Sequence, residues 1–299
     1  MLNPWRLRLL TQLEALGTVR AVAQAANLSP SSVSQQLAVL ETETGTQLLE
    51  RAGRRVGLTS AGVILARRAR ELLDHMDTVE AELRGFGDEP SGLVRLGAFQ
   101  SAVHTLAVPA VSRLAREYAH VDVELKELEP HASVPALRAG DADLVITTTD
   151  FGELPLGPDL DLLALTTDPI LLVLPPDHPA AGRGPADLAA FADEPWAFDV
   201  PQSYMANLAL RLCRQARFEP RVVGRFSNYM LTLELVEAGR AVALLPGLAV
   251  EAGRYRVATR ELAAPVTRTI TAVTRRGAPP RAAVHVVLHA LRPPVSGST

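Results

Sequence analysis

The chain has 299 residues, of which 47% are hydrophobic and 21% are charged, and its formal net charge is −3. This length allows two or three domains with well-filled cores. No apolar run long enough to span a bilayer and no leader-like segment is visible, so we expect a cytoplasmic protein without a membrane partner. The slightly acidic total argues against a general binder of polyanions. A site-specific DNA-binding protein is still compatible with it, because the placement of charge matters more than the sum.

Two short helices separated by a tight turn are predicted between residues 18 and 41. Thr18 is the predicted cap of the first helix. Ser29 is a good cap for the second, and Pro30 fits its first position, where the missing N–H of proline costs nothing. Apolar residues repeat along the second helix at i, i+4 and i+7 and therefore face inward: Val33, Leu37 and Leu40.

The opposite face of the second helix begins with short hydrogen-bonding side chains, namely Ser31, Ser32, Ser34 and Gln35. Such side chains allow close approach to base edges when a helix enters the major groove by its N-terminus. We therefore interpret this segment as a recognition helix and expect DNA contacts from Thr18, Ser29 and Pro30 as well. The alternative interpretation is a helical hairpin with a Ser-rich, solvated face.

Residues 44–58 are predicted to form two short extended segments around a turn at Ala52-Gly53. Three arginines cluster at this tip: Arg51, Arg54 and Arg55. Their guanidinium groups can reach DNA phosphates or a minor groove, so the pattern indicates a β-wing beside the recognition helix.

Residues 5–87 resemble the winged helix-turn-helix and linker helix of the LysR-type transcriptional regulators. The matching elements are Ala-x-x-Leu-Ser ending at Ser29, Val-Ser-Gln-Gln-Leu at 33–37, Leu-Glu at 40–41, Gly45, Leu48, Glu50-Arg51, Gly53-Arg54-Arg55 and Leu-Thr-x-Ala-Gly at 58–62. Two positions depart from the family pattern. Pro30-Ser31 stands where many members have Gln-Pro, and Gln35 replaces a basic residue. The resemblance implies double-stranded operator DNA as a partner, while the departures leave open which bases are read.

Apolar residues between 65 and 86 recur at alternating spacings of four and three, which is typical of a coiled-coil seam. The predicted dimer seam consists of Leu65, Ala69, Leu72, Met76, Val79 and Leu83, continued by Phe86. Charged residues flank the seam, which favours a two-helix dimer interface over a core-facing helix within one domain. The helix is predicted to begin at Thr59 or Ser60, with Ser60 as its cap, and to end in a Gly- and Pro-containing hinge at 85–92.

The remainder of the chain alternates apolar strands with helices. Strands are predicted at 93–99, 121–128, 143–147, 170–174, 221–226, 242–245 and 266–274. Helices are predicted at 101–118, 132–139, 204–217, 229–238 and 281–291. Apolar strands separated by helices predict an α/β sheet that is covered on both faces.

Four motifs of this region resemble the LysR-type effector domain, which is built like a periplasmic binding protein: 92–97, 137–144, 174–179 and 235–246. The resemblance implies two lobes, with lobe I at about 91–165 and 265–299, lobe II at about 166–264, and crossovers near 165–166 and 263–265. The predicted domains are therefore a winged helix-turn-helix domain (1–59), a linker helix and hinge (60–90) and an effector-binding domain (91–299). A small effector would bind between the lobes. The family also implies a homo-oligomer, dimeric through the linker helix and joined into a homotetramer, with RNA polymerase as a candidate further partner.

Ligands of open α/β sheets bind beyond the carboxyl ends of strands, where helix N-termini offer free N–H groups. Neutral hydrogen-bonding residues occupy such positions: Gln100, Ser101, Thr147, Thr148, Gln202, Ser203, Ser227 and Asn228. Each of them alone is better explained as a helix cap than as a ligand contact. Together in one crevice they would suit a small anion held by helix dipoles.

No nucleophile elbow, phosphate loop or metal-binding spacing occurs in the chain, so we expect neither enzymatic activity nor a metal or other cofactor. An intramolecular redox switch needs two cysteines, and the single Cys213 is expected to be a buried structural thiol. Two alternatives remain open: a solute-binding protein with a helical dimerisation segment and no DNA role, and a metabolic enzyme with a fused helical domain. The sequence favours an effector-responsive, sequence-specific transcription regulator.

Overall fold

The N-terminal part of the chain folds into three helices and a hairpin around one apolar core. The computed structural model describes residues 2–52, 55–84, 90–150, 156–182, 184–250, 254–276 and 281–292. The helices are α1 (Pro4–Leu16), α2 (Val19–Ala25) and α3 (Pro30–Thr44). The antiparallel hairpin consists of β1 (Leu49–Ala52) and β2 (Arg55–Leu58).

A single long helix, α4 (Ser60–Arg84), leaves this domain. The hydroxyl oxygen of Thr59 accepts the N–H of Gly62 at 3.1 Å, so Thr59 is the cap and the prediction of Ser60 was wrong. A Cβ atom on Gly62 would lie 2.2 Å from the carbonyl oxygen of Leu48, so only glycine lets the helix pass this close to the hairpin. Within the residues that the structure describes, no helix combines the length and apolarity needed to cross a membrane.

Lobe I is built on three parallel strands, β3 (Gly92–Ala98), β4 (Val121–Glu127) and β5 (Leu144–Thr148). Its helices are α5 (Gln100–Ala102), α6 (Val108–Glu117), α7 (Pro130–Ala139) and α10 (Ala282–Ala290). A π-helical turn at Val103–Ala107 separates α5 from α6, where one continuous helix was predicted. Pro109 has no N–H to donate to the carbonyl of residue 105, so the α-helical ladder is broken there.

Lobe II has its own apolar core around Trp196, which is fully buried. Its parallel pair of strands is β7 (Pro195–Phe198) and β8 (Arg221–Arg225), and its helices are α8 (Tyr204–Gln215) and α9 (Tyr229–Glu237). Two further strands, β9 (Ala243–Pro246) and β10 (Ala258–Glu261), join the main sheet. Neither β7 nor β10 was predicted, because β7 begins at a proline and β10 is mostly polar.

Two long antiparallel strands, β6 (Leu160–Leu174) and β11 (Thr267–Arg275), run through both lobes. Leu165 packs in the core of lobe I and Ile170 in that of lobe II, so β6 passes between the lobes at residues 166–169. On β11 the passage lies at 267–269, slightly later than the predicted 263–265. Only 170–174 was predicted as a strand, because Thr166-Thr167-Asp168-Pro169 interrupts the apolar pattern.

Candidate DNA-binding surface and effector cleft

The turn between α2 and α3 is fixed by side-chain caps at both helix starts. The hydroxyl oxygen of Thr18 accepts the N–H of Ala21 at 3.2 Å, and that of Ser29 accepts the N–H of Ser32 at 3.1 Å. Asn27 adopts a left-handed conformation with φ of 53°, which turns the chain sharply between the helices. Both predicted caps are confirmed.

The two faces of α3 differ as the spacing predicted. Its apolar residues Val33, Leu37 and Leu40 are buried in the N-terminal core. The opposite face carries Ser31, Ser34 and Gln35, all exposed, with Ser32 partly exposed. The Ser29 hydroxyl, beside the exposed Pro30, lies 2.8 Å from the hydroxyls of Ser31 and Ser32. The first turns of α3 therefore present a compact, uncharged set of hydrogen-bonding groups to solvent.

The hairpin is held against α3 by Glu41. One carboxylate oxygen of Glu41 accepts the N–H groups of Leu48 at 2.8 Å and Leu49 at 2.9 Å. Arg51 lies in β1 opposite Val56. Arg55 begins β2 opposite Ala52, and Arg54 lies outside the described residues. The predicted β-wing is therefore present and is bonded to the recognition helix.

Helix α4 divides the predicted seam between two environments. Leu72, Met76 and Val79 are 48%, 44% and 40% exposed, at i, i+4 and i+7 along one face. Ala69, by contrast, is completely buried with Ala66 against the N-terminal core, so its placement in the seam was wrong. Its small side chain lets α4 pack closely on the domain, a role that a spacing pattern does not distinguish from a seam position. Leu65 is partly buried there, and the side chain of Leu83 lies outside the description.

A buried ion pair lies where the two long strands pass between the lobes. Arg268 and Asp168 face each other in register and are each 1% exposed, and the Arg268 Nε and Nη2 atoms donate to Asp168 Oδ2 at 2.9 and 2.7 Å. Arg268 Nη2 also donates to the hydroxyl of Ser101 at 2.7 Å, and Leu248 N–H donates to Asp168 Oδ1 at 2.9 Å. The network joins lobe I, through Ser101, to lobe II, through Leu248.

Gln100 forms a second bridge across the cleft. Its side-chain Nε2 donates to the carbonyl of Ser227 at 2.8 Å, and its Oε1 accepts the N–H of Tyr229 at 3.0 Å. Asn228 between them caps α9 by accepting the N–H of Met230 at 2.8 Å. The predicted residues Gln100, Ser101 and Asn228 therefore converge, and all three already bond other groups of the protein.

The other predicted cleft residues are used locally. Thr147 is fully buried, and its hydroxyl lies 3.0 Å from that of Ser133. Ser203 is buried and caps α8 by accepting the N–H of Ala206 at 3.1 Å. Gln202 is exposed and has a left-handed φ of 73°, which shapes the turn before α8. The buried hydroxyl of Thr148 faces that of Tyr204.

Tyr204 projects from the start of α8 into the space between the lobes. Its backbone N–H donates to the Glu129 carboxylate of lobe I at 2.9 Å, and its ring lies 6.0 Å from the Arg268 guanidinium carbon. Burial raises the pKa of Tyr204 to about 12 and also raises the pKa of Tyr229. Burial likewise raises the pKa of Asp199, which lies near Glu129. This side of the cleft is therefore closed by the protein's own groups.

A cavity of about 290 Å³ remains between the lobes on the side of α5 and α9. Its polar lining comes from Gln100, Ser101, His104, Glu127, Asn228, Tyr229, Arg254 and Tyr255. The π-helical turn contributes His104 to this lining. Among the residues that the structure describes, no group of three His, Cys, Asp or Glu side chains is arranged to hold a metal ion. The cavity can accept a small organic molecule that hydrogen bonds to both lobes.

Arg268, Asp168, Tyr204 and Glu129 were not among the predicted cleft residues. A usable signal existed for the first two, since Asp168 is the single charged residue in the stretch 162–176 and Arg268 the single charged residue in the stretch 262–274. Buried charges in strands require partners, so each implies the other. No comparable signal marks Tyr204 or Glu129, because their roles depend on how the lobes close.

Comparison with known proteins places this chain in a family. The family model described as "LysR substrate binding domain" matches residues 87–294, and "Bacterial regulatory helix-turn-helix protein, lysR family" matches residues 5–63. The chain belongs to the LysR family. This LysR-type protein is thus a DNA-binding transcriptional regulator with an N-terminal winged helix-turn-helix and a C-terminal α/β effector domain, as its sequence predicted.

Individual relatives of this LysR-type regulator are distant but cover most of its length. It is 29% identical over 237 residues to the uncharacterized HTH-type transcriptional regulator YnfL of Escherichia coli K12, covering 78% of each chain. It is 27% identical over 286 residues to the hydrogen peroxide-inducible genes activator of Escherichia coli O6:H1, covering 93% of this chain and 91% of the relative. Full-length OxyR C199D from Pseudomonas aeruginosa shares the fold, with a TM-score of 0.67, 21% identity and 98% of both chains covered.

Proposed function

We propose that this regulator responds to a small carboxylate that binds between its lobes. The observation that carries this proposal is the cavity of about 290 Å³, which has hydrogen-bonding groups from both lobes and the cationic Arg254 in its lining. Helix α9 begins at the same cavity, with its cap residue Asn228 in the lining. Helix N-termini favour anions. Arg268 is neutralised by Asp168 and is not the main anchor. Glu127 on the same wall suits a ligand that also carries an ammonium group, such as an amino acid.

We propose that the exposed start of α3 contacts the DNA bases, and that the arginines of the wing contact the DNA phosphate backbone. Serine hydroxyls and Gln35 can donate and accept hydrogen bonds at base edges, whereas arginines at a hairpin tip suit phosphates. Two protomers would pair through the exposed Leu72, Met76 and Val79 of α4, with the effector domains joining two dimers into a tetramer. Pairing places two recognition helices on two half-sites, which raises affinity by linkage.

The effector proposal is tested by thermal melting of the full chain with a panel of small carboxylates and amino acids, followed by calorimetry of each hit. Ser101→Val should weaken binding of a true effector, because it replaces a hydroxyl at the cavity with an apolar side chain. Ser112→Val, an exposed serine on α6, is the matched control and should bind as the parent does. A hit whose affinity is the same in both variants does not bind in this cleft.

One relative is named as an activator of hydrogen peroxide-inducible genes, and a response to peroxide does not follow from that name for this chain. Its single cysteine, Cys213, is completely buried in the core of lobe II, and burial raises the pKa of the thiol to about 12. The reactive form of a cysteine is the thiolate, which this environment suppresses. We therefore propose a reversible small-molecule effector rather than thiol oxidation.

A further inference from the structure

Helix α7 has one end at the cleft and the other end at the DNA-binding domain. Its ten residues, Pro130–Ala139, span about 15 Å at 1.5 Å per residue. Glu129, which precedes the helix, accepts the Tyr204 N–H from lobe II at 2.9 Å. The opposite end of α7 packs against α1 of the winged helix-turn-helix domain.

The contact between α1 and lobe I is polar and buried. Thr11 of α1 is completely buried, and its hydroxyl lies 3.3 Å from the carbonyl oxygen of Ala139. Gln12 is 6% exposed, and its Nε2 donates to Asp141 Oδ1 at 2.8 Å. Such side chains usually face water on a helix surface, so their burial marks α1 as docked on lobe I.

Charged groups extend this contact beyond α1. Arg70 of α4 forms an ion pair with Glu14 of α1. Two hydrogen bonds from Arg138, at the end of α7, lower the pKa of Asp159, and the nearby positive charge of Arg70 lowers it further. The DNA-binding domain therefore meets lobe I through hydrogen bonds and charges, which change more readily than an apolar core.

The middle of α7 allows its two ends to change their relative angle. Pro135 lies inside the helix and has no N–H to bond the carbonyl of residue 131, so the ladder is interrupted there. Val134 and Leu137 on either side are fully buried against β5 and β11. A shift at Glu129 can thus tilt the helix about this buried anchor without detaching it from the sheet.

We propose that α7 transmits the state of the cleft to the DNA-binding domain. The input is the Glu129 contact with lobe II, and the output is the hydrogen bond between Gln12 and Asp141. This inference rests on the proposed effector cleft, because an effector acts here by changing how lobe II meets Glu129. Coupling requires that loss of the input contact changes DNA affinity only while the output contact is intact.

The test is a double-mutant cycle on the full chain, with a DNA duplex selected by the parent protein from a random library. Glu129→Ala removes the acceptor of the Tyr204 N–H and should change the DNA dissociation constant by at least about fivefold. In the Asp141→Ala background, the same change should have less than about a twofold effect. Fluorescence anisotropy measures both, and thermal melting checks that every variant is folded.

Matched variants isolate the hydrogen bond itself. Asp141→Asn keeps the Oδ1 acceptor for Gln12 and should preserve the fivefold response to Glu129→Ala. Asp161→Asn alters an aspartate that pairs with Arg276 on the same lobe, and it should also preserve the response. Gln12→Ala removes the same hydrogen bond from the α1 side, so it should also abolish the response of DNA affinity to Glu129→Ala. The test therefore remains possible if one of the two variants, Gln12→Ala or Asp141→Ala, fails to fold.

An equal effect of Glu129→Ala in the parent and Asp141→Ala backgrounds would overturn the relay, as would no effect in the parent. Neither outcome bears on ligand binding. Thermal melting of the Asp141→Ala protein with the carboxylate panel separates the two questions. If carboxylates still bind the Asp141→Ala protein and their affinity still depends on Ser101, the proposed effector cleft is supported even when the proposed role of α7 is overturned.

Discussion

Gln35 is the longest hydrogen-bonding side chain on the exposed face at the start of α3. We predict that Gln35→Ala alters the preference among operator variants by ~1–3 kcal/mol, because a side-chain amide can form two hydrogen bonds to one base. Competition binding with duplexes that differ at single positions measures this. Gln215→Ala, an exposed glutamine on α8, should leave the preference unchanged. An unchanged preference in the Gln35 variant would show that α3 docks differently.

Arg268 is the residue whose loss should cost most in the effector domain. Arg268→Ala leaves the Asp168 carboxylate buried with a single N–H donor from Leu248, and removal of one partner from a buried pair costs ~3–5 kcal/mol. Urea unfolding measures this loss. Arg276→Ala breaks an ion pair with Asp161 that is more than half exposed, and should cost ~0–1 kcal/mol. Similar losses for the two variants would contradict the role of the buried network.

Cys213 should be inert while the protein is folded. Its pKa of about 12 keeps the thiol protonated at neutral pH, and burial blocks access. We predict that iodoacetamide labels it only as fast as the protein unfolds, and that peroxide leaves DNA binding unchanged. Mass spectrometry follows the labelling, with the urea-unfolded chain as the reactive control. Rapid labelling of the native protein would show that Cys213 is accessible and reactive, and would contradict the prediction.

Helix α4 presents an apolar stripe that one protomer leaves exposed. We predict that Leu72→Asp together with Val79→Asp prevents pairing, because each introduces a charge into a dry interface at a cost of several kcal/mol. Sedimentation velocity should show loss of the linker dimer, and operator affinity should fall with it. Val223→Asp changes a similarly exposed residue on β8 of lobe II and serves as the control. An unchanged mass for the double variant would reject this interface.

The sequence was most informative where one element alone decides the structure. Caps at Thr18 and Ser29, the two faces of α3 and most strands and helices follow from local chemistry and periodicity. Ala69 shows the limit of such reasoning, because a seam position and a core position on one helix have the same spacing. The π-helical turn before Pro109 and the long β6 depend on backbone geometry that composition does not encode. The contacts of Tyr204 and Glu129 exist only after both lobes have assembled.

At the scale of the whole molecule, three buried groups whose pKa values are raised within the alkaline range couple folding to alkaline pH. The thiol of Cys213 is shifted from 9.0 to about 12 and the phenol of Tyr204 from 10.0 to about 12, and Tyr229 is shifted upward too. Above pH 9 the unfolded chain releases these protons while the folded chain keeps them, so unfolding becomes more favourable as the pH rises. Lysine side chains also titrate in this pH range, but Lys126 is the only lysine in the sequence, so they add little to the pH dependence.

We predict that the free energy of unfolding falls steadily between pH 9 and pH 12, by up to about 1.4 kcal/mol per pH unit for each retained proton. Urea titrations across this range measure the slope. Tyr204→Phe removes one titrating phenol and should make the slope shallower at pH 10 to 12, while leaving it unchanged below pH 9. If the substitution leaves the slope unchanged between pH 10 and pH 12, Tyr204 ionises equally in the folded and the unfolded chain.

The pairing of Arg268 with Asp168 also limits how the lobes can move. Both residues lie in register where the two antiparallel connecting strands pass between the lobes, so we expect them to lie near the axis of a rotation of one lobe against the other. A rotation that opens the cleft must break the hydrogen bonds that join the lobes away from this ion pair, namely those of Gln100 with Ser227 and Tyr229 and that of Glu129 with Tyr204. Packed interfaces tend to have two discrete arrangements and do not deform continuously. We therefore expect an open and a closed state of the cleft, and partial effector occupancy should yield a mixture of open and closed molecules.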